Sequence, residues 1–146
     1  MNSVYSKVLE FKRKFKKTIA FRTKKHAKVI EDHLNPGEEV LYAFCGQKNK
    51  QSYIIINSCV VALTNKRILI GQKRVLWGYF FTMITPDMYN DLKVRKNLIW
   101  SDIEIDTMRE NVYISNLDPK GAMEIETAVT EFMMSEKKKY GKKLNN

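Results

Sequence analysis

The sequence predicts a mainly β fold with a helix at each end, and three observations carry the prediction. Apolar residues recur near every 3.6 positions up to residue 34, the period switches to 2 from Glu39, and a helical stripe returns after Asp118-Pro119. Between the two helical zones lie about seven short apolar runs divided by polar turns. That many short strands with tight turns point to an antiparallel barrel or sandwich.

The first element reads as one long amphipathic helix over residues 3–34. Val4, Val8, Phe11, Phe15, Ile19, Ala27, Ile30 and Leu34 fall on one stripe, with Val8, Phe11, Phe15 and Ile19 as its apolar centre. Lys7, Lys12, Arg13, Lys14, Lys16, Lys17, Arg22, Lys24 and Lys25 take much of the remaining surface. Lys12 with Lys16 and Arg13 with Lys17 repel at i,i+4, so something apolar or anionic should stabilise this helix. Asn35-Pro36-Gly37 then stops it, because Pro36 forces extended geometry on Asn35 and Gly37 permits a turn.

Residues 40–45 and 53–63 read as a hairpin about a turn at 46–51, which would set Cys45 near Ser52 and Cys59 near Glu38. Further strands are expected at 67–71, 76–84, 92–95, 99–106 and 112–115. Asp118 suits a helix N-cap, Pro119 the first helical position, and Ala122, Ile125, Val129, Phe132 and Met133 form the buried stripe. Residues 135–146 are too polar to pack and read as a basic disordered tail.

Charge divides the chain in the same places. Residues 1–34 hold ten Lys/Arg against three Asp/Glu, residues 135–146 five against one, and residues 35–134 eleven against twelve. The expected organisation is a basic helical arm at 1–34, a near-neutral globular body at 35–134 and a basic tail at 135–146. No signal-peptide core or membrane-spanning run appears, and Cys45 and Cys59 are not expected to pair, so the expected compartment is the cytoplasm.

Three segments then carry a family resemblance: 34–41, with Asn35-Pro36-Gly37-Glu38; 62–70, with Thr64-Asn65-Lys66-Arg67; and Asp91-Leu92-Lys93-Val94. Together they resemble the bacterial pleckstrin-homology-like (PH-like) domains of the YokE type over roughly residues 34–134. The resemblance implies a seven-stranded, strongly bent antiparallel barrel closed by the C-terminal helix, with no enzymatic activity and no general ligand. Eukaryotic PH domains that bind phosphoinositides use a basic cluster in the first hairpin loop. Only Lys48 and Lys50 stand there, so phosphoinositide recognition is not supported.

Catalytic and metal constellations are absent from the pattern. His26 and His33 lie seven residues apart on a helix face without metal-ligand spacing, and neither a Gly-rich phosphate loop nor a nucleophile elbow occurs. No cofactor or metal is expected. Asp102, Glu104 and Asp106 alternate and read as a solvated strand face, with Ile103 and Ile105 inward. Lys66 and Arg67 with Lys73 and Arg74 form a secondary basic patch split between the two ends of one strand, and Thr64-Asn65-Lys66-Arg67 reads as hairpin chemistry, with Thr capping and Asn at positive φ. Trp77, Tyr79 and Phe81 alternate along a strand and are expected to fill the barrel rather than to anchor at lipid.

The functional expectation is a non-enzymatic interaction module whose arm meets an anionic membrane surface or a protein partner. Lys12, Arg13, Lys14, Lys16, Lys17, Arg22, Lys24 and Lys25 would supply the contact, each worth on the order of 1 kcal/mol near the surface. Two alternatives stay open. The stripe could pack on the chain's own barrel or on a second copy, or the cations could bind nucleic acid, which would leave the aligned Phe11, Phe15 and Ile19 unexplained.

Overall fold

A computed structural model describes residues 3–144, with the side chain of Ser3 and those beyond Lys139 left aside. The chain forms α1 (Ser3–Lys14), α2 (Thr23–Glu31), seven strands and a terminal helix α3 (Pro119–Leu144). The strands are β1 (Val40–Gln47), β2 (Ser58–Thr64), β3 (Ile68–Lys73), β4 (Tyr79–Ile84), β5 (Tyr89–Lys96), β6 (Ser101–Thr107) and β7 (Asn111–Leu117). Every pairing is antiparallel, in the order β4-β3-β2-β1-β7-β6-β5. β1 and β7 meet only where Gln47 faces Ser115, so the sheet bends into two halves there.

The expected N-terminal helix is in fact two. Residues 15–22 break it, and Arg22 ends the linker in the left-handed region at φ 55°. The break folds the arm back on itself, with the Val4 amide donating to the Glu31 carboxylate at 2.6 Å. Val4, Val8, Phe11, Phe15, Ala27 and Ile30 all join the barrel's own core, while Ile19 stays half-buried. Phe11 packs against Phe15, Phe44 and the edge of Tyr42 at centroid distances of 4.9, 5.9 and 6.3 Å. Of the packings left open by the sequence, self-packing is the one observed.

Two glycines make that packing possible. A Cβ on Gly71 would lie 2.9 Å from the His26 carbonyl oxygen, and one on Gly121 would lie 2.9 and 3.0 Å from the Phe11 and Phe15 rings. α2 therefore rests on bare β3 backbone, and α1 on bare α3 backbone.

α3 starts as expected, with Asp118 Oδ1 accepting the Lys120 amide at 3.0 Å, and it buries Ala122, Ile125, Val129 and Met133. It does not stop near residue 134. Helix continues to Leu144 across residues expected to be disordered, and the rest of that tail lies outside the described residues.

The hairpin register also differs from expectation. β2 begins at Ser58, Cys45 faces Val60, and Cys59 faces Gly46; both cysteines are buried and unbonded. Residues 53–57 stay in a long loop tied down by side-chain amides: Asn49 donates to the Ile54 carbonyl at 2.9 Å and Asn116 to the Ser52 carbonyl at 2.8 Å. Asp102 is buried rather than solvated, beside Arg95 at 3.7 Å and Asn97 at 3.4 Å.

The two family-like motifs lock each other. Glu38 takes the Arg67 guanidinium on both carboxylate oxygens and the Thr64 hydroxyl at 2.6 Å, while Asn65 Oδ1 accepts the Glu39 amide at 2.9 Å. Thr64 Oγ1 also accepts the Lys66 and Arg67 amides at 3.1 Å, so the threonine caps the turn. Asn65 is not at positive φ; its side chain instead binds across to Glu39, the residue before β1.

Candidate interaction surface

The β3–β4 hairpin positions the site. Its turn closes with the Arg74 amide on the Gly78 carbonyl at 3.1 Å, Gly78 being at φ 83°. That closure confines β4 to Tyr79 onward and leaves Val75, Leu76 and Trp77 projecting from the tip, 81%, 80% and 74% exposed. The expectation that Trp77 and Tyr79 fill the barrel is overturned, and Phe81 is only half-buried. Ile68, Leu69, Ile70 and Ile84 supply the interior instead. Gly78 was the signal in the sequence, because it marks a turn ending after Trp77.

Beside the tip stands the loop before β2, where Tyr53 and Ile56 are exposed, and the α1–α2 linker, which brings Phe21 and Arg22. These three segments enclose an open cavity of about 560 Å3. Arg22, Lys73 and Arg74 line it with Ile55, Ile56, Val75, Leu76, Trp77 and Phe80, and among the described residues no Asp or Glu does.

Hydrogen bonds hold the cations together. The Arg22 guanidinium donates to the carbonyls of Lys73 at 3.3 Å and Arg74 at 3.5 Å, and the Phe21 amide donates to Ser58 Oγ at 2.9 Å. His26 Nδ1 accepts the Lys73 amide at 2.8 Å, which makes it an acceptor and leaves the ring's proton on Nε2. Burial, with the Arg22 charge next to it, lowers His26 to about 4, so the ring is neutral at pH 7. Arg74 lies over the Phe80 ring at 5.4 Å. The result is a cluster of positive charge beside an apolar tip, in which Arg22 is held by backbone carbonyls and Arg74 by an aromatic face.

The structure sorts the cations singled out in the sequence. Arg22, Lys73 and Arg74 meet at this cavity, and Lys25 sits close by with Lys73 and Tyr79. Arg13, Lys16, Lys17 and Lys24 are exposed elsewhere on the arm. Lys12 is turned onto the Ala20 carbonyl at 2.8 Å, and Lys14 pairs with Glu124. Arg67 is held in the Glu38 pair, and Lys66 lies at the far end of β3, so the secondary patch is not one patch. The structure adds Phe21, Ile55, Ile56 and the Val75-Leu76-Trp77 tip to the candidate site.

Among the described residues no helix is long and apolar enough to cross a membrane, and no cluster of His, Cys, Asp or Glu could hold a metal ion. No curated protein and no solved structure matches the chain. Residues 34–131, from the last residue before the Asn-Pro-Gly-Glu turn well into α3, match the bacterial PH domain family. With the seven-stranded bent sheet and its C-terminal helix in place, the chain belongs to the bacterial PH domain family.

Proposed function

We propose that this protein is a non-enzymatic interaction module, YokE-like in its Asn-Pro-Gly-Glu and Thr-Asn-Lys-Arg motifs, that docks peripherally on an anionic membrane surface at the inner face of the cytoplasmic membrane. The supporting observation is the Val75-Leu76-Trp77 tip, three adjacent large apolar side chains exposed beside the carboxylate-free cations Arg22, Lys73 and Arg74. A soluble surface gains nothing from such a tip, whereas a bilayer interface takes the apolar side chains into its acyl boundary and the cations among its phosphates. Transfer of three such side chains is worth roughly 1.5–3 kcal/mol each when complete. Trp suits the interfacial zone by its amphipathic ring.

The reading moves the contact away from the arm's apolar stripe, which is occupied by the barrel core. The arm contributes Arg22, with Lys25 close by, as part of a rigid surface, and its other exposed cations add a long-range field. Nucleic acid is disfavoured because phosphate binding has no use for an aliphatic tip such as Val75-Leu76.

Co-sedimentation with vesicles of neutral and anionic lipid tests this. Binding is expected on anionic vesicles at low salt, should weaken as salt rises, and should be lost in Leu76→Ser/Trp77→Ser and in Lys73→Glu/Arg74→Glu. Retention of full binding by both double variants would overturn the reading, as would a complete lack of binding by the parent chain.

A further inference from the structure

The sheet has two edges, β4 and β5, and they are treated differently. β5 carries Asp91, Lys93, Arg95 and Lys96, and α3 packs over it. Such charges and covering helices are what proteins use to block an edge from pairing. β4, Tyr-Phe-Phe-Thr-Met-Ile, carries no charge, no proline and no glycine, pairs among the described residues with β3 alone, and leaves Tyr79, Phe80 and Met83 about half exposed. An edge of that composition is a template for another strand.

Both ends of β4 open onto cavities. At its start, a space of about 490 Å3 lies between Tyr79 and α2, walled by Lys25, Lys28, Val29 and His33. Along its second half, a space of about 460 Å3 runs beside Phe81–Ile84 and is bounded by Met88, Thr107 and Arg109. His33 stacks on Phe81 at 4.0 Å and meets Tyr79 at 5.2 Å, so α2 and His33 just past its end form a shoulder above the strand. An edge strand beside a helix is the geometry in which an extended peptide gains main-chain hydrogen bonds and side-chain specificity together.

We infer that β4 is a strand-addition site for an extended, acidic segment of a protein partner, a role beyond membrane docking on a neighbouring surface that shares Lys25 and Lys73 with it. Charge selects this occupant. Lys28 and Asp32 offset each other in a pair at 2.8 Å, which leaves Lys25, Lys73 and Arg109 bordering the two cavities against Glu110. A second copy of this chain, at net charge +10, would bring cationic surface against cationic surface across the pair. An incoming strand with alternating carboxylates would set them on the α2 side, within reach of the lysines beside Tyr79 and Phe81, while its apolar residues continue the opposite face of the sheet, that of Phe80. The acceptor surface is every second residue of β4, whose N–H and C=O point away from β3.

The test uses the full chain, isotope-labelled for NMR, with two capped octapeptides of alternating Glu/Val and alternating Lys/Val. The Glu/Val peptide should shift the amides of residues 79–84 and slow their hydrogen exchange, and the Lys/Val peptide should bind at least about tenfold more weakly. Lys25→Glu/Lys28→Glu should reverse that preference while the remaining spectrum stays dispersed. The inference is overturned if residues 79–84 do not respond to Glu/Val peptide at about 1 mM, if both peptides act alike, or if those amides are already protected in a dimer seen by sedimentation. Vesicle binding is read separately with the tip variants, so failure of one site is distinguishable from failure of the other.

Discussion

Arg67 clamps Glu38 in a two-pronged pair, Nε to Oε2 at 3.0 Å and Nη2 to Oε1 at 3.1 Å, and the same guanidinium donates to the His33 carbonyl at 3.0 Å. One side chain thus ties β3 both to the turn before β1 and to the end of α2. The pair is largely shielded from water, so removing one partner strands the other. Glu38→Gln should cost about 3 kcal/mol in urea unfolding. Asp32→Ala, which breaks the exposed Lys28 pair, should change stability by less than about 1 kcal/mol.

Acid should destabilise the fold in two stages. His26 is held at about 4 by burial and by the Arg22 charge, below its ordinary 6.5, so the unfolded chain takes up the proton first. The stability it contributes is complete above about 6.5 and is lost as pH falls through 4. Burial pushes the Glu38 carboxyl up, but hydrogen bonds from Arg67, the Asn35 amide and Thr64 overcome it and hold the group at about 2. Its share is present above the ordinary carboxylate value and is lost as pH falls from there toward 2. Urea midpoints at about pH 7, 5 and 3 should fall at each step. In His26→Asn, with an amide oxygen as the acceptor for Lys73, the first step should flatten and the second should remain.

The bare backbones under the two N-terminal helices give a steric prediction. Gly71→Ala drives a methyl into the α2 backbone at the His26 carbonyl, and Gly121→Ala drives one into two aromatic rings. Each should cost about 1–3 kcal/mol by overpacking. Phe11→Ala should cost about 3–5 kcal/mol by opening a cavity. Thermal denaturation checks all three; a neutral Phe11→Ala would mean that α1 is detached in solution.

Burial pushes both thiols, Cys45 and Cys59, up to about 12. Neither should react with a disulfide reagent at about pH 8 in the native protein, because reactivity follows the thiolate fraction. Both should react at once in denaturant. A fast native reaction at one site would show that β1 and β2 part locally.

Much of this architecture was legible because it rests on strong local chemistry. Asp118-Pro119 announced α3, and the period change at Glu39 announced the strands. Asn35-Pro36-Gly37 announced the turn between helix and sheet. The break in the arm was not legible, because Phe15 and Thr18 in the linker are also buried and continue the helical spacing. Its pivot, Arg22, is a residue type that rarely takes positive φ. Residues 53–56 read as strand by β-branched content, yet Asn49 and Asn116 hold them as loop from outside that segment. The candidate surface was half legible. Its cations were found, but alternation along Trp77, Tyr79 and Phe81 says only that these residues share a face, not that the sheet ends too soon to cover it.

The seating of Phe11 and Phe15 on Gly121, with Lys14 paired to Glu124, joins segments more than a hundred residues apart. On the ribosome, the Gly121 part of that seat does not exist until α3 has emerged, so although β1 can take Phe11 earlier, the flank of Phe11 and Phe15 that meets α3 waits uncovered through synthesis of the sheet. The seat of α1 is then finished only when α3 arrives, and the nascent chain keeps an apolar flank open until that point. The lysines and arginines that crowd the rest of the arm keep such waiting chains apart by mutual repulsion, a service rendered before the protein has met any target.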